Sequence, residues 1–329
     1  MAAPPAGVDG RTDRNIREQG ARAMEQTVFR TAVPIRVGKD LVHKHDAEQV
    51  LLTDLERIGA DEFLIRADWG EAGRLIPSGD GVQGHAVLLT ETIRQTFPLL
   101  CHAGYDVPFG DRLVWDEYRC AFGLAALRSG EGRPELRIAC HDLIRRRDRL
   151  AGLSLDITVE RDGERLANAH TRFTVQAPAV YRRLRGPHRD VSEAMAAARR
   201  LPLPPPVSGG SEEFRDAVLS PTDDPSRWQL RIDPHHPVYF DHPADHAPGI
   251  LLLEAAQQAA RILRHPRAGV TETMETRFHR YIELDSPCWV QARPLPDDQQ
   301  GRARLLVTMD QDGELCFTAL VSVADAQGD

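Results

Sequence analysis

The sequence predicts an α+β protein built twice over, each half a single antiparallel sheet wrapped around one central apolar helix. Three observations carry that prediction. Two apolar helical segments share one signature. Two Asp-Gly turns, each between alternating runs, recur at nearly the same spacing as the helices. A Pro- and Gly-rich break separates the two copies.

The helical segments come first. Leu88-Leu89-Thr90-Glu91-Thr92-Ile93-Arg94-Gln95-Thr96-Phe97-Pro98-Leu99-Leu100-Cys101-His102 and Leu252-Leu253-Glu254-Ala255-Ala256-Gln257-Gln258-Ala259-Ala260-Arg261-Ile262-Leu263-Arg264-His265 both place Leu-Leu ahead of a lone Glu, with a Gln four residues after it. Apolar residues fall at helical spacing on nearly every face, so each segment reads as a buried helix. Pro98 is expected to kink the first.

Strands flank each helix. Upstream, Gln49–Thr53 leads to Phe63–Trp69 in the first half, and Ala217–Leu219 to Trp228–Ile232 in the second. Downstream, Leu153–Val159 alternates, Asp162-Gly163 marks a turn, and Leu166–Val175 returns. Its counterpart is Ala303–Met309, Asp312-Gly313 and Leu315–Val323. An Asp-Gly pair between alternating runs is a strong hairpin signal. Glu91 and Glu254 stand 163 positions apart and Gly163 and Gly313 150 apart, a period of domain duplication and not of a solenoid. A sheet around a central apolar helix is the hotdog arrangement, and two such halves make an intrachain pseudo-dimer.

Leu201–Ser211 holds four prolines and then a Gly/Ser run, the composition of a linker. The predicted organisation is a flexible tail over 1–30, a first domain over 31–190, a linker over 191–212 and a second domain over 213–329.

Composition excludes several classes. Lys plus Arg is 41 against 49 for Asp plus Glu, a net charge of −8, which argues against a nucleic-acid binder. No window approaches the ~18 apolar residues of a membrane span. The N-terminus turns polar and Arg-rich without an apolar core, so no secretion signal is read and a cytoplasmic location is expected. Five scattered cysteines (Cys101, Cys120, Cys140, Cys288, Cys316) form no C-x-x-C pair, consistent with buried free thiols.

Several segments then act together. They are Leu41-Val42-His43-Lys44, Glu48–Asp54, Leu88–Gln95, the run His236-Pro237-Val238-Tyr239-Phe240-Asp241-His242-Pro243-Ala244-Asp245-His246-Ala247-Pro248-Gly249-Ile250 leading to Glu254, and Phe278–Cys288. In this order they resemble the A-factor biosynthesis (AfsA-type) family of tandem hotdog proteins, over roughly residues 30–325. The resemblance implies a reaction. A β-ketoacyl group passes from an acyl carrier protein to the hydroxyl of dihydroxyacetone phosphate, and the ester cyclises to a butenolide, a precursor of signalling γ-butyrolactones. No cofactor is implied, because thioester exchange with an alcohol needs neither redox chemistry nor a metal.

The residues themselves suggest roles. A lone carboxylate such as Glu254 in an apolar helix is costly unless paired or functional, and burial is expected to raise its pKa toward that of a general base. Pro248-Gly249 permits close approach, and the N–H groups at Gly249 and Ile250 are candidates for an oxyanion. Hotdog dehydratases carry a His fourteen residues before the Glu. Here that position is Phe240, so dehydration is not expected. Glu91 is the pseudo-symmetric carboxylate, and Arg94 either holds an anion or simply pairs with it. The family pattern E-x-x-R-Q stands at Glu91–Gln95, but Gln257 replaces the Arg in the second half.

Other signals are weaker. His235, His236, His242 and His246, with Asp233, Asp241 and Asp245, are read as lining the cleft rather than as metal ligands. Gly79–Gly84 fits G-x-G-x-x-G without the strand a dinucleotide site needs. Arg145–Arg147 with Arg149 form a basic run that could dock an acidic carrier protein. Arg280 is a candidate phosphate contact, and Arg277 a structural residue. Three functions stand: an acyltransferase with Glu254 and Glu91 catalytic and Arg94, Gln257, Arg280, Gly249, Ile250 and His246 binding substrate; a hotdog thioesterase; or a module that binds acyl chains without turnover. A monomeric pseudo-dimer and a homodimer both fit.

Overall fold

A computed structural model describes residues 33–70, 81–128, 132–202, 216–265, 267 and 269–325. The expected N-terminal tail, most of the Pro/Gly-rich linker and the start of the Gly79–Gly84 motif lie outside these residues.

The first half runs β1 (Ile35–Arg36), β2 (Leu52–Arg57), β3 (Glu62–Ala67), helix α1 (Gly81–Leu99), β4 (Arg112–Phe122), a short α2 (Leu124–Arg128), β5 (Glu135–Arg146), β6 (Arg149–Arg161) and β7 (Glu164–Gln176). Two short helices follow, α3 (Pro178–Arg185) and α4 (Val191–Ala197). The second half runs β8 (Leu219–Pro221), β9 (Arg227–Leu230), helix α5 (Gly249–Arg264), β10 (Gly269–Phe278), β11 (Cys288–Leu295), β12 (Ala303–Gln311) and β13 (Glu314–Asp325).

All strands among the described residues join one antiparallel sheet in the order β1-β2-β3-β5-β6-β7-β4-β10-β13-β12-β11-β9-β8. Read outward from the β4–β10 pair, the two halves repeat the same order, which is the duplication seen as topology. The joint pairs Cys120 with Met274 and Tyr118 with Thr276, and the Thr276 hydroxyl donates to Tyr118 O at 3.0 Å. Both expected hairpins form. Asp162-Gly163 and Asp312-Gly313 both take positive φ (51° and 83°; 53° and 80°), the conformation that suits the twist of the flanking strands.

Both long helices are buried, as their all-round apolarity requires, and they pack against each other. α1 starts seven residues before Leu88. It continues through Pro98 and passes at Leu99 into a π-turn over Leu100–Gly104, the local adjustment by which a proline without an N–H is accommodated. The strand expected over Gln49–Thr53 begins only at Leu52, because Ala47–Gln49 coils into a 3₁₀ turn capped by Asp46. All five cysteines are buried and free.

An aromatic cluster covers the joint. Trp115 of β4 stacks on Phe278 of β10 with centroids 4.8 Å apart and meets Phe97 of α1 edge-on at 5.2 Å. The start of α5 lies directly on it. A Cβ at Gly249 would stand 2.7 Å from Trp115 Cε3 and 3.3 Å from Phe278 Cε1. Gly249→Ala should therefore destabilise the protein by about 1–3 kcal/mol, despite the better helix propensity of alanine. Urea denaturation checks this, and a stabilised variant would mean that the rings can yield.

Candidate active site

The two Glu-bearing helices are anchored alike. Gln95 Oε1 accepts from Leu51 N at 2.9 Å, and its Nε2 donates to Gln49 O at 2.8 Å and to Glu91 Oε1 at 3.0 Å. Gln258 repeats this three-way clamp: Oε1 accepts from Val218 N at 3.0 Å, and Nε2 donates to Asp216 O at 2.8 Å and Glu254 Oε1 at 2.9 Å. Each glutamine ties its carboxylate to the strand entering the sheet. Sequence reasoning noted these glutamines as a spacing and assigned them no role.

Beyond the clamp the two carboxylates diverge. Glu91 is saturated. Arg94 forks onto it through Nε (2.7 Å to Oε2) and Nη2 (2.8 Å to Oε1), and Lys44 Nζ lies 2.9 Å from Oε1. Burial alone would raise the carboxyl pKa, but Arg94 and Lys44 outweigh it and hold Glu91 well below the usual carboxylate range. Lys44 also reaches across to the second half, with Nζ 3.3 Å from Asp241 Oδ2. Asp241 in turn faces His242 Nδ1 at 3.1 Å and is itself held low: burial opposes ionisation, while His242, Arg94 and Lys44 favour it. This buried bridge between halves went unassigned, because Lys44 and Asp241 stand far apart in sequence.

His43 borders the same cluster in a left-handed conformation. Its Nε2 lies 2.7 Å from His102 Nε2, and His102 Nδ1 donates to Val107 O at 2.7 Å. Burial, then the neighbouring His102, Arg94, His242 and Arg112, lower the His43 pKa to about 4.

Glu254 is buried but differently partnered. Oε1 accepts from Gln258 and lies 3.2 Å from Arg261 Nη2, while Oε2 is buried without a hydrogen-bond partner among the described residues. Gln257, at the family's Arg position, is 2% exposed, and its Oε1 likewise has no hydrogen-bond partner among the described residues. Tyr239 is buried beside this group, and burial, with the charges of Glu254 and Asp216, keeps its phenol protonated. His236 stacks on Tyr239 at 4.3 Å and pairs through Nε2 with Asp216 at 3.1 Å.

The other sequence candidates separate. Ile250 is buried beside Gly249, whose open side is occupied by Trp115 and Phe278. In the first turn of α5, Leu251 N and Leu252 N donate to Pro248 O. His246 Nδ1 donates to Asp245 Oδ1 at 2.7 Å, within a buried clamp where Arg185 binds Asp245 and Glu283 and Tyr181 donates to Asp245. That clamp docks α3 onto the second half. Arg280 is 60% exposed and pairs with Glu314, away from the buried carboxylates, and Arg277 pairs with Glu117 across the joint. The basic run forms the exposed β5–β6 turn.

Two hotdog halves sharing one sheet, each with a clamped Glu on its central helix, define a tandem hotdog protein. The chain belongs to the A-factor biosynthesis hotdog domain family, whose model it matches over residues 25–177 and 214–324. It is 39% identical over 295 residues to a 2-oxo-3-(phosphooxy)propyl 3-oxoalkanoate synthase of Streptomyces virginiae, covering 88% of this chain and 98% of the relative. A protein of the same name from Streptomyces griseus is 36% identical over 300 residues, covering 89% of this chain and 97% of the relative. Among solved structures, an oleoyl thioesterase (putative) from Lactobacillus plantarum aligns with a TM-score of 0.47 at 10% identity, over 74% of this chain and 89% of that one.

Glu91→Gln leaves Lys44 and Arg94 buried without their shared anion, and should cost about 3–5 kcal/mol in urea melts at neutral pH. His43 gives a separate pH effect. The unfolded chain protonates this His near 6.5 and the folded protein only near 4. The native state binds fewer protons in that window, so stability falls as pH drops from about 6.5 to about 4. His43→Gln should flatten that limb of the stability–pH curve.

Proposed function

We propose that this protein transfers a 3-oxoacyl group from a thioester to the hydroxyl of dihydroxyacetone phosphate, forming the ester for which its relatives are named. Glu254 is the general base. One observation carries this assignment: Oε2 of Glu254 is a buried carboxylate oxygen without a hydrogen-bond partner among the described residues, whereas both oxygens of Glu91 are taken by cations. A carboxylate held far below its usual pKa is a poor proton acceptor, so Glu91 serves to hold Arg94 and Lys44.

Glu254 Oε2 takes the proton of the acceptor hydroxyl as its oxygen attacks the thioester carbonyl carbon. The C–S bond of the tetrahedral intermediate then breaks, and the departing thiolate recovers the proton from Glu254. Gln257 presents its amide one helical turn on, as a neutral polar contact for the reacting group. Arg94 engages Glu91 through Nε and Nη2, and the Nη1 side of its fork is offered to the acceptor's phosphate from the facing helix. The acyl donor is carrier-bound, and the exposed Arg145–Arg149 turn is its dock.

Glu254→Gln should lower kcat at least ~10²-fold while the melting curve stays close to wild type. Mass spectrometry of a 3-oxoacyl thioester incubated with dihydroxyacetone phosphate checks the activity itself. A phosphorylated ester is expected, and free 3-oxo acid alone would make water the acceptor. Arg145→Glu with Arg149→Glu should raise KM for a carrier-bound donor and leave that for a pantetheine thioester unchanged. Equal effects on both donors would remove the dock from that turn.

A further inference from the structure

Away from the helices, on the solvent face of the sheet, the first half carries a cluster that the acyl transfer does not use. His141 of β5, Asp156 of β6 and His170 of β7 bring one ligand atom each to within 4.8 Å of one another. His170 Nδ1 lies 2.7 Å from Asp156 Oδ1, and His141 Nε2 lies 3.1 Å from Asp156 Oδ2. The His141 Nε2 atom is nonetheless buried and makes no aligned hydrogen bond among the described residues.

The outer nitrogens of both rings are already held by carboxylates. His141 Nδ1 faces Asp142 Oδ2 at 3.2 Å, and His170 Nε2 faces Glu117 Oε1 at 3.3 Å. Both of these carboxylates sit at irregular points of their strands. The β5–β6 register shifts after His141, where Asp142 takes φ 50°, and β4–β7 shifts between Trp115 and Glu117. Bulges of this kind re-aim side chains. Ser154 Oγ donates to Asp142 Oδ2 at 3.2 Å, and Glu117 is held in turn by Arg277 at 2.9 Å and Arg119 at 3.6 Å.

The electrostatic consequence is direct. With His141 Nδ1–H donating to Asp142 and His170 Nε2–H to Glu117, the remaining nitrogens present lone pairs to the Asp156 carboxylate. A positive charge completes that pairing of acceptors, either a second proton on each ring or one metal ion that joins all three groups at once. A carboxylate on the far nitrogen of each ligating imidazole is also how proteins fix the tautomer of a metal-bound His. The duplicated half shows that the fold does not need this polarity. The register places Leu306 and Leu320 where Asp156 and His170 stand, and Leu295 where His141 stands.

We propose that His141 Nε2, His170 Nδ1 and Asp156 form a binding site for a divalent transition-metal ion of the zinc class, with Asp142 and Glu117 orienting the two rings. Two imidazoles and one carboxylate suit Zn²⁺, with solvent in the fourth position. The site would staple the three long strands of the first half, outside the acyl-transfer machinery.

The test uses untagged, chelator-stripped full chain titrated with Zn²⁺ by calorimetry, and with Co²⁺ followed by its visible absorption bands. One ion per chain with micromolar affinity is expected. His170→Gln and His141→Gln should each weaken binding more than ~10-fold, and Glu117→Gln about 10-fold through the orienting carboxylate. The His141→Gln/His170→Gln double variant, checked for an unchanged melting curve in the absence of metal, should show no cobalt bands from this site. Equal Zn²⁺ uptake by wild type and a folded double variant would overturn the assignment, as would no saturable uptake by wild type.

Discussion

The structure depends on one pairing, that of β4 with β10. Each half-sheet ends on a long strand with unpaired backbone groups, and an exposed edge of that length invites aggregation. Here each edge is satisfied by the other, from Thr273↔Ala121 to Arg277↔Glu117. The pairing makes one sheet of two and leaves the concave faces open to both helices at once. Trp115 and Phe278, from the two strands of the joint, stack where the start of α5 descends, and Gly249 gives them the room. The contact between α1 and α5, and the reach of Lys44 to Asp241, follow from that geometry.

Within this frame the two halves keep one device and diverge in another. Gln95 and Gln258 make the same three hydrogen bonds, so each Glu is held against its strand by the same neutral clamp. The residue just before each glutamine differs. Arg94 takes both oxygens of Glu91 and, with Lys44, fixes it as an anion. Gln257 carries no charge, and one oxygen of Glu254 has no hydrogen-bond partner among the described residues. A buried ion pair is a stable arrangement for holding charge in place but a poor one for moving a proton. The Arg-to-Gln difference between the repeats, together with Lys44 in the first, leaves Glu91 enclosed by two cations and Glu254 with Arg261 on one oxygen alone among the described residues.

Much of the fold was legible in the residues, because its signals are local. The Asp-Gly turns announce their hairpins through the positive φ that both residues adopt, and all-round apolarity announces a buried helix. The strands β4 and β10 left little such signal: Asp116, Glu117, Glu272 and Glu275 interrupt their alternation, and their role is defined by each other. Helix α3 was equally hidden. Its one buried cation, Arg185, is explained only by the Asp245 and Glu283 carboxylates that it meets on the second half.

The same division runs through the candidate site. The sequence by itself determined the duplicated helix–sheet plan, the two lone glutamates, and the replacement of the dehydratase His by Phe240 and of the family Arg by Gln257, since each is a matter of residue type at a local spacing. Only the tertiary structure decided which glutamate is saturated, that Lys44 and Asp241 bridge the halves, that Arg280 stands in solvent, and that His141, Asp156 and His170 converge. Those outcomes depend on side chains brought together across strands and halves, and on the balance of burial against neighbouring charge that their contact creates.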